Sequence, residues 1–172
     1  MSVPTSIVLR PAVPEDEEFL FKVYVGTRLD EVAAWGWDKA QQEMFLRLQF
    51  KAQQFHYDDF DDSGKSIIMD DDRPIGRVII NRYTEYLHLA DIALLPEYRN
   101  SGIGTKVLND LLAEGKQKGL PVLLEVAKTN RAGQLYKRLG FEITSDIGMH
   151  FKMEWRPEVA PDSESFRNID PE

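Results

Sequence analysis

The chain has 172 residues, of which 42% are hydrophobic and 29% are charged, a composition typical of one globular domain with a sizeable core. It contains no cysteine, which excludes disulfides, thiolate catalysis and a cysteine-based zinc site, and its net charge of −8 argues against nucleic acid as the main partner. No apolar run approaches the roughly 18 residues of a membrane span, and the N-terminus lacks the pattern of a signal peptide, so we expect a cytoplasmic protein. The three histidines have no metal-ligand spacing, and no metal is expected.

The N-terminal part of the chain predicts one strand followed by two helices. A strand over residues 5–10 is ended by prolines. The acidic residues after Pro14 begin a helix that should run to about Ala34, because the helix dipole favours negative charge at this end. Asp38 is a suitable N-cap for a second helix. Apolar residues recur at helical spacing in that helix and are expected to face the core. They are Met44, Phe45, Leu48, Ala52 and Phe55.

The middle of the chain predicts an acidic loop over residues 58–64 and then a three-stranded meander. The strands are expected over residues 65–69, 74–83 and 86–94, with short turns between them. A helical pattern over residues 106–118 comes later. Between the last strand and this helix lies a glycine loop, Arg99-Asn100-Ser101-Gly102-Ile103-Gly104-Thr105.

A strand, a glycine loop and a helix in this order form an arrangement that binds phosphate. The glycines let the backbone approach a ligand closely, and the helix N-terminus offers free N–H groups and the positive end of its dipole. The loop does not match a P-loop, because Gly104 is followed by Thr105 and Lys106 in the wrong order. It does not match a dinucleotide-binding loop either, because Val107 stands where a third Gly or Ala is needed.

The charge distribution supports a polyanionic ligand near this loop. Residues 99–138 contain eight Lys and Arg against three acids, a charge of +5, which leaves −13 for the rest of the chain. The acidic remainder is compatible with a cationic substrate, although such a charge excess is more often an ordinary solvated surface.

The C-terminal part of the chain completes a mixed sheet. Gly119 ends the helix after the glycine loop. The remaining elements are a strand over residues 122–126, a helix that Thr129 or Asn130 caps and that runs to Leu139, and a hairpin of residues 141–145 and 149–155. This order predicts a single α/β domain over residues 5–156, followed by a flexible C-terminal tail over residues 157–172.

Two segments resemble motifs A and B of the GCN5-related N-acetyltransferases, the GNAT family. Motif A is matched by Ala93-Leu94-Leu95-Pro96-Glu97-Tyr98-Arg99-Asn100-Ser101-Gly102-Ile103-Gly104-Thr105. Motif B is matched by Glu125-Val126-Ala127-Lys128-Thr129-Asn130 and then by Leu135-Tyr136-Lys137-Arg138-Leu139-Gly140-Phe141. The resemblance implies a central, mostly antiparallel, splayed sheet flanked by helices, and an N-acetyltransferase that uses acetyl-CoA. The alternative is a non-catalytic acyl-CoA-binding sensor or interaction module.

The resemblance also implies where acetyl-CoA binds. Two strands, those expected over residues 86–94 and 122–126, should splay apart so that the cofactor extends the sheet by strand-like pairing. The glycine loop should wrap the pyrophosphate, and Arg99 and Arg138 are expected to add charge-assisted contacts. Asn130 matches a motif B residue that contacts the cofactor, and its alternative role is to cap a helix. The residues expected to bind the cofactor are Ile92, Ala93, Leu94, Arg99, Asn100, Ser101, Gly102, Ile103, Gly104, Thr105, Asn130 and Arg138.

The catalytic residues are expected to be one acid and one base. Tyr136 matches the family's tyrosine that protonates the leaving thiolate, and its alternative is a ring packed in the core. Glu125 stands where ribosomal-protein and N-terminal acetyltransferases carry a catalytic Glu, and its alternative is an ion pair with a lysine such as Lys128. His88 stands where the histone-type members carry their Glu. Asp91 is a third choice of base, and strand alternation predicts that it faces away from His88.

The acceptor is expected to be an amine of a small molecule or a peptide, bound by the first two helices and the closing hairpin. The residues of interest there are Tyr24, Arg28, Glu31, Trp35, Trp37 and Gln49. Transfer is expected to be a direct attack of the amine on the thioester, and the absence of cysteine excludes a cysteine-bound acyl intermediate. Dimers are common in the family, so a homodimer is one expected assembly, and neither nucleic acid nor membrane is expected as a partner.

Overall fold

The computed structural model describes residues 6–58 and 64–158 of the chain. Most of the predicted acidic loop and most of the predicted tail lie outside these residues. The helices are α1 (Glu17–Ala33), α2 (Lys39–Asp58), α3 (Ile103–Lys118) and α4 (Ala132–Arg138). The strands are β1 (Ile7–Pro11), β2 (Lys65–Asp70), β3 (Arg73–Arg82), β4 (Leu87–Leu94), β5 (Val122–Ala127), β6 (Glu142–Asp146) and β7 (His150–Trp155). None of the helices in the two described ranges has the length and apolarity needed to cross a membrane.

The strands form one sheet in the order β1-β2-β3-β4-β5-β7-β6. Neighbouring strands are antiparallel except for β4 and β5, which are parallel and are connected through α3. The predicted mixed α/β fold with a mostly antiparallel sheet is confirmed. Because a parallel connection needs a crossover, the glycine loop and α3 are placed at one end of the β4–β5 pair.

β4 and β5 pair over only part of their length. Leu87, His88 and Leu89 of β4 pair with Val122, Leu123 and Leu124 of β5. β4 continues to Leu94 and β5 to Ala127 without further pairing between them. The predicted splay is therefore present, and the unpaired strand ends border a gap in the middle of the sheet.

A β-bulge in β4 changes which side chains share a face. Ile79 of β3 pairs with Asp91, while the next residue, Ile80, pairs with Leu89, so Ala90 is the extra residue. His88 pairs with Asn81, which lies on the same face of β3 as Ile79. His88 and Asp91 therefore face the same side of the sheet, and the expectation that they face opposite sides is wrong.

The ends of the helices follow the predicted capping residues. The Asp38 carboxylate accepts a hydrogen bond from the Gln41 N–H at 2.8 Å, and the Gln41 side chain accepts one from the Asp38 N–H at 3.2 Å, which confirms the N-cap of α2. Gly119 ends α3 in the left-handed region with φ of +66°, as expected. α3 begins earlier than its helical pattern indicated, so Gly104 lies in its first turn.

The apolar stripe predicted for α2 is wrong for Met44, Leu48 and Ala52, which are exposed, while Phe45 is half-buried and the side chain of Phe55 lies outside the described part of the chain. Met44 and Leu48 are 66% and 64% exposed, whereas Leu46 and Phe50 are buried against α1. The Phe50 ring lies 5.5 Å from Phe21 and 5.6 Å from Tyr24, measured between centroids. Both pairs on α2 have i, i+4 spacing, so the spacing alone does not determine which of them faces α1.

The main core lies between the sheet and the helices α3 and α4. It joins strand residues such as Val78, Leu87 and Leu124 to Val107 and Leu108 of α3. α1 and α2 form a second cluster on the other face of the sheet, where Leu20 and Phe50 lie beside Arg77 and Ile79 of β3. The gap between β4 and β5 is thus bordered by helices on both faces.

Candidate functional site

The glycine loop turns the chain from β4 into α3 through two left-handed residues. Asn100 has φ of +58° and Gly102 has φ of +83°. The Lys106 N–H donates to the Gly102 carbonyl at 3.0 Å and thereby closes the first turn of the helix. The N–H groups that precede Lys106 in this turn have no acceptor inside the helix. They are available to an anionic ligand at the positive end of the helix dipole.

The space around the loop glycines is open. A Cβ atom built on Gly102 or Gly104 would meet no heavy atom within 4 Å. Nothing in the described protein therefore requires Gly104 to be glycine, because it has helical geometry and room for a side chain. A phosphate ligand that approaches the backbone of the first turn gives a physical reason for its small size.

Arg99 is held by backbone carbonyls. Its Nε donates to the Leu94 carbonyl at 3.2 Å and its Nη2 donates to the Gly26 carbonyl at 3.0 Å. The side chain thus ties the end of β4 to α1. Asn130 is found in its capping role, because its Oδ1 accepts a hydrogen bond from the Ala132 N–H at 2.9 Å. Arg138 is exposed in the last turn of α4.

Tyr136 projects from α4 and is 6% exposed. Its ring packs edge-on against Phe141, with centroids 5.7 Å apart, so the core-packing role is present. None of the described residues forms a hydrogen bond with its hydroxyl group. Burial, assisted by the negative charge of Asp91, raises the pKa of Tyr136 to about 12. The phenol is therefore protonated at neutral pH and free to donate.

Asp91 lies in the unpaired part of β4 and is held by an arginine that the sequence did not single out. Arg77 of β3 is only 8% exposed, and its Nε lies 2.6 Å from Oδ2 of Asp91. The strand expected over residues 74–83 is confirmed, but its apolar pattern gave no indication of this ion pair. A charge inside an apolar strand was the signal that could have indicated it.

His88 pairs with Leu123 of β5, so Glu125, two residues further along β5, lies on the same side of the sheet as His88 and Asp91. Burial lowers the pKa of His88, and the negative charge of Glu125 partly offsets this effect. The Glu125 side chain is 53% exposed and lies 4.0 Å from the Lys152 Nζ. The alternative role of Glu125, an ion pair with a lysine, is thus present, but the lysine is Lys152 and not Lys128, which binds Asp146 at 2.6 Å.

The residues of interest on the first two helices form two clusters. The Tyr24 hydroxyl donates to the Gln49 side chain at 3.2 Å, and Arg28 lies over the Tyr24 ring and binds Glu31 at 2.8 Å. Trp35 and Trp37 pack with Phe45 in the turn between α1 and α2, with ring centroids 5.1–5.3 Å apart. The first cluster lies beside Gly26, which the Arg99 contact joins to the end of β4.

The chain is similar to a family of enzymes over most of its length. The model of the acetyltransferase (GNAT) family matches residues 29–141. A relative in Haemophilus influenzae, the [ribosomal protein bS18]-alanine N-acetyltransferase, is 35% identical over 75 residues, which are 43% of this chain. The match spans about half of that relative, 51% of its length.

Solved structures share the fold at low identity. The PaiA N-acetyltransferase of Thermoplasma acidophilum, solved in complex with coenzyme A, has a TM-score of 0.65 at 22% identity, over 88% of this chain and 99% of that one. The ribosomal-protein-S18-alanine N-acetyltransferase of Escherichia coli has a TM-score of 0.61 at 18% identity, over 94% of this chain and 100% of that one.

Proposed function

Because this chain belongs to the GNAT family of N-acetyltransferases, we propose that it transfers the acetyl group of acetyl-CoA directly to a primary amine of a small molecule or a peptide. The observation that carries the proposal is the gap between β4 and β5, together with the open glycine loop that connects β4 to α3. As part of the same proposal we place the enzyme in the cytoplasm, where acetyl-CoA is available.

The donor is bound through the backbone of β4 and the first turn of α3. Beyond Leu89, the edge of β4 that faces β5 is not paired with it, so its N–H and C=O groups can pair with the extended pantetheine arm. The segment that does so is Ile92, Ala93 and Leu94. The pyrophosphate lies on the N–H groups of residues 102–105, with Asn100, Ser101, Asn130 and Arg138 around it.

Arg99 contributes to donor binding mainly by fixing the end of β4. Its guanidinium bonds the carbonyls of Leu94 and Gly26 and so fixes the strand segment that pairs with the donor. A charged group at this place also adds to the positive potential around the glycine loop.

Acetyl transfer requires a base for the amine and an acid for the sulfur. The amine nitrogen forms a bond to the acetyl carbon while the carbon–sulfur bond breaks, and Tyr136 donates its phenol proton to the departing sulfur. The thioester supplies an activated acyl group. Since the chain has no cysteine, the acetyl group passes to the acceptor without a cysteine-bound intermediate.

His88 is the base that we propose, with Glu125 as its partner. The lowered pKa of His88 keeps the imidazole neutral at neutral pH, so it can accept the proton that the amine loses. The negative charge of Glu125 stabilises the imidazolium that results. Glu125 itself and Asp91 are the other two candidates, since all three side chains face the same side of the sheet.

The acceptor is bound on the face of the sheet that α1 and α2 cover, where the three candidate bases point. Arg28 and Glu31, which lie near Gly26, are placed to select the acceptor. The aromatic cluster of Trp35, Trp37 and Phe45 borders the same face of the sheet. An N-terminal alanine peptide is one acceptor to test, because the relative from Haemophilus influenzae acts on an alanine of a ribosomal protein according to its name.

The decisive experiment measures release of the coenzyme A thiol with a chromogenic thiol reagent. The absence of cysteine removes any background from the protein itself. The acceptor panel contains an N-terminal alanine peptide, a lysine peptide, free amino acids, a polyamine and aminoglycosides. We expect release above hydrolysis with at least one acceptor, and loss of that release in Tyr136→Phe. Tight binding of acetyl-CoA with release no faster than hydrolysis for every acceptor would favour the acyl-CoA-binding module instead.

The base is assigned by comparing His88→Gln, Glu125→Gln and Asp91→Asn. If His88 is the base, kcat/KM of the parent protein falls at acidic pH because the imidazole becomes protonated, and His88→Gln loses this acidic limb of the pH profile. Glu125→Gln retains the limb but has a lower kcat/KM. An acidic limb that persists in His88→Gln and disappears in Glu125→Gln would transfer the assignment to Glu125.

A further inference from the structure

Arg77 is a buried charge for which the proposed reaction has no use so far. It lies in the middle of β3, and Leu20 of α1 and Phe50 of α2 lie beside it. Its guanidinium binds the Asp91 carboxylate of β4, with Nε 2.6 Å from Oδ2. Replacing such a buried pair by apolar residues of similar size is often neutral for stability, or even favourable. Stability alone is therefore a weak reason for a charged pair at this place.

One oxygen of the Asp91 carboxylate has no protein partner. Arg77 holds Oδ2, and none of the residues in the two described ranges forms a hydrogen bond with Oδ1. Among those residues, every side-chain oxygen that is fully enclosed has a hydrogen-bond partner, so Oδ1 is open to its surroundings. The side chain as a whole is 25% exposed. Oδ1 is thus an acceptor in a fixed position that can bind an N–H group of a ligand.

The bulge in β4 places this oxygen on the face of the sheet where the proposed function puts the acceptor. Because Ala90 is the extra residue, Asp91 lies on the same face as Arg77 and His88, which α1 and α2 cover. Asp91 also belongs to the segment of β4 that does not pair with β5. The next residue, Ile92, begins the segment that is proposed to pair with the pantetheine arm. An amine bound at Oδ1 would therefore lie beside the proposed donor segment.

Resting on the proposed function, we propose that Asp91 binds the amine of the acceptor through Oδ1, and that Arg77 is a positioning residue, which fixes this carboxylate through Oδ2. A protonated amine donates charge-assisted hydrogen bonds to such an oxygen, so the group recognised is a primary ammonium. Protonation of Asp91 would leave the buried guanidinium without its ionic partner, which is costly, whereas binding an N–H group leaves the ion pair intact. Asp91 therefore holds the amine, and His88 takes the proton.

The other carboxylate on this face near the gap is not fixed in the same way. Glu125 is exposed, and its printed partner Lys152 lies at 4.0 Å, too far for a hydrogen bond. An exposed side chain with such a long contact keeps its rotational freedom and contributes little to holding a ligand in one position. The position of the Asp91 carboxylate, by contrast, is set by a buried guanidinium.

The test observes the Arg77 Nε–H in a proton–nitrogen NMR spectrum of the protein without donor. This hydrogen lies between Arg77 and Asp91, so its resonance responds when the carboxylate binds a ligand, and it is assigned by its loss in Arg77→Lys. The probe is methylammonium, the smallest ion with the group that all protonated primary amines share. Tetramethylammonium is the control probe, because it has the same charge and no N–H group. We expect a saturable shift with methylammonium and none with tetramethylammonium.

Two variants remove the binding oxygen in different ways, and the backbone N–H resonances of β4 follow binding in both. Asp91→Asn keeps an oxygen that can accept from Arg77 but removes the carboxylate charge, and the affinity for methylammonium should fall by about tenfold or more. Arg77→Met combined with Asp91→Leu replaces the pair by apolar side chains. This double variant should fold with a stability close to that of the parent protein and should not bind methylammonium.

Glu114→Gln is the matched control. Glu114 binds Arg82 of β3 at 2.7 Å and its side chain is 23% exposed, close to the value for Asp91, but it lies on α3. It should bind methylammonium like the parent protein.

The proposal is overturned if methylammonium causes no saturable shift of the Arg77 Nε–H, if tetramethylammonium causes an equal shift, or if Asp91→Asn binds methylammonium like the parent protein. These results are independent of acetyl transfer. Binding at Asp91 in a protein that releases no coenzyme A thiol with any acceptor would support this inference and contradict the proposed function. Thiol release by a protein without binding at Asp91 would contradict this inference alone.

Discussion

Leu89 of β4 and Leu124 of β5 form the last paired position before the two strands separate. Both side chains are buried, so the pair closes the sheet at the point where the gap begins. Beyond this pair, the two sides of the gap come from the two segments that resemble motifs A and B.

Gly104→Val should abolish tight binding of coenzyme A without damage to the fold. A side chain at this position meets no protein atom within 4 Å, so it occupies only the space assigned to the pyrophosphate. We expect affinity to fall by about 100-fold or more, which is roughly 2.7 kcal/mol, with an unchanged or higher unfolding midpoint because Val is a better helix former than Gly. Calorimetric titration with coenzyme A measures the affinity.

Gly133→Val is the control for this prediction. Gly133 also lies in a helix, and a Cβ atom there also meets nothing within 4 Å. It should bind coenzyme A like the parent protein. Full affinity in Gly104→Val would show that the pyrophosphate does not lie on the first turn of α3.

Gly76→Ala should destabilise the part of β3 that supports the donor-binding segment. Its Cβ atom would clash with the Ala93 carbonyl oxygen and would lie 2.8 Å from Cδ2 of Leu94, closer than real contacts allow. We expect a loss of about 2–4 kcal/mol in the free energy of unfolding, because both backbones must shift. Urea unfolding measures the change, with Gly133→Ala as the control. Equal stability of the two variants would contradict the close approach of β3 and β4.

Features that depend on neighbouring residues in the chain could be predicted from the sequence. Asp38 and Gln41 cap α2 through mutual hydrogen bonds, and Gly119 ends α3, because these contacts form within a few residues. The order of the elements along the chain followed from apolar patterns and turn residues, whereas the splay of β4 and β5 came from the resemblance to a family.

Features that depend on packing between distant segments could not be predicted. Leu46 and Phe50 compete with Met44 and Leu48 for the inner face of α2, and only the packing against α1 decides between them. Asp91 was assigned to the wrong face because one extra residue in β4 reverses the alternation of side chains.

Tyr136→Phe should remove most of the activity and little of the stability. The phenyl ring retains the edge-on contact with Phe141, and none of the described residues bonds the hydroxyl that is lost. We expect kcat to fall by about 100- to 1,000-fold with a similar KM for acetyl-CoA, and stability to change by less than about 1 kcal/mol. Steady-state kinetics and urea unfolding measure the two quantities. An unchanged kcat would remove Tyr136 from the mechanism.

Tyr136 should also remain a proton donor across the working range of pH. Its pKa of about 12 lies far above neutrality, so no alkaline loss of kcat between about pH 7 and pH 10 should come from this group. The profile of kcat against pH, measured with a saturating amine, tests this. An alkaline limb in that range that the variant Asp91→Asn displaces would show that the phenol is more acidic than its burial indicates.

His88 should make the folded protein less stable at acidic pH. Burial lowers its pKa in the folded state below the ordinary value of 6.5, so the unfolded chain takes up the proton first as the pH falls. The stability that comes from keeping His88 neutral is fully present above pH 6.5 and is lost as the pH falls through 6.5 towards the folded-state pKa. The loss is at most about 1.4 kcal/mol per pH unit.

Urea unfolding at about pH 7.5 and pH 5.5 measures this loss of stability. The parent protein should lose more stability than His88→Gln, while His150→Gln, which changes an exposed histidine of β7, should behave like the parent. Glu125→Gln should increase the loss, because the charge that partly offsets the effect of burial is removed. An equal loss in the parent protein and in His88→Gln would mean that His88 is not held neutral by burial, and its assignment as the base would lose its physical support.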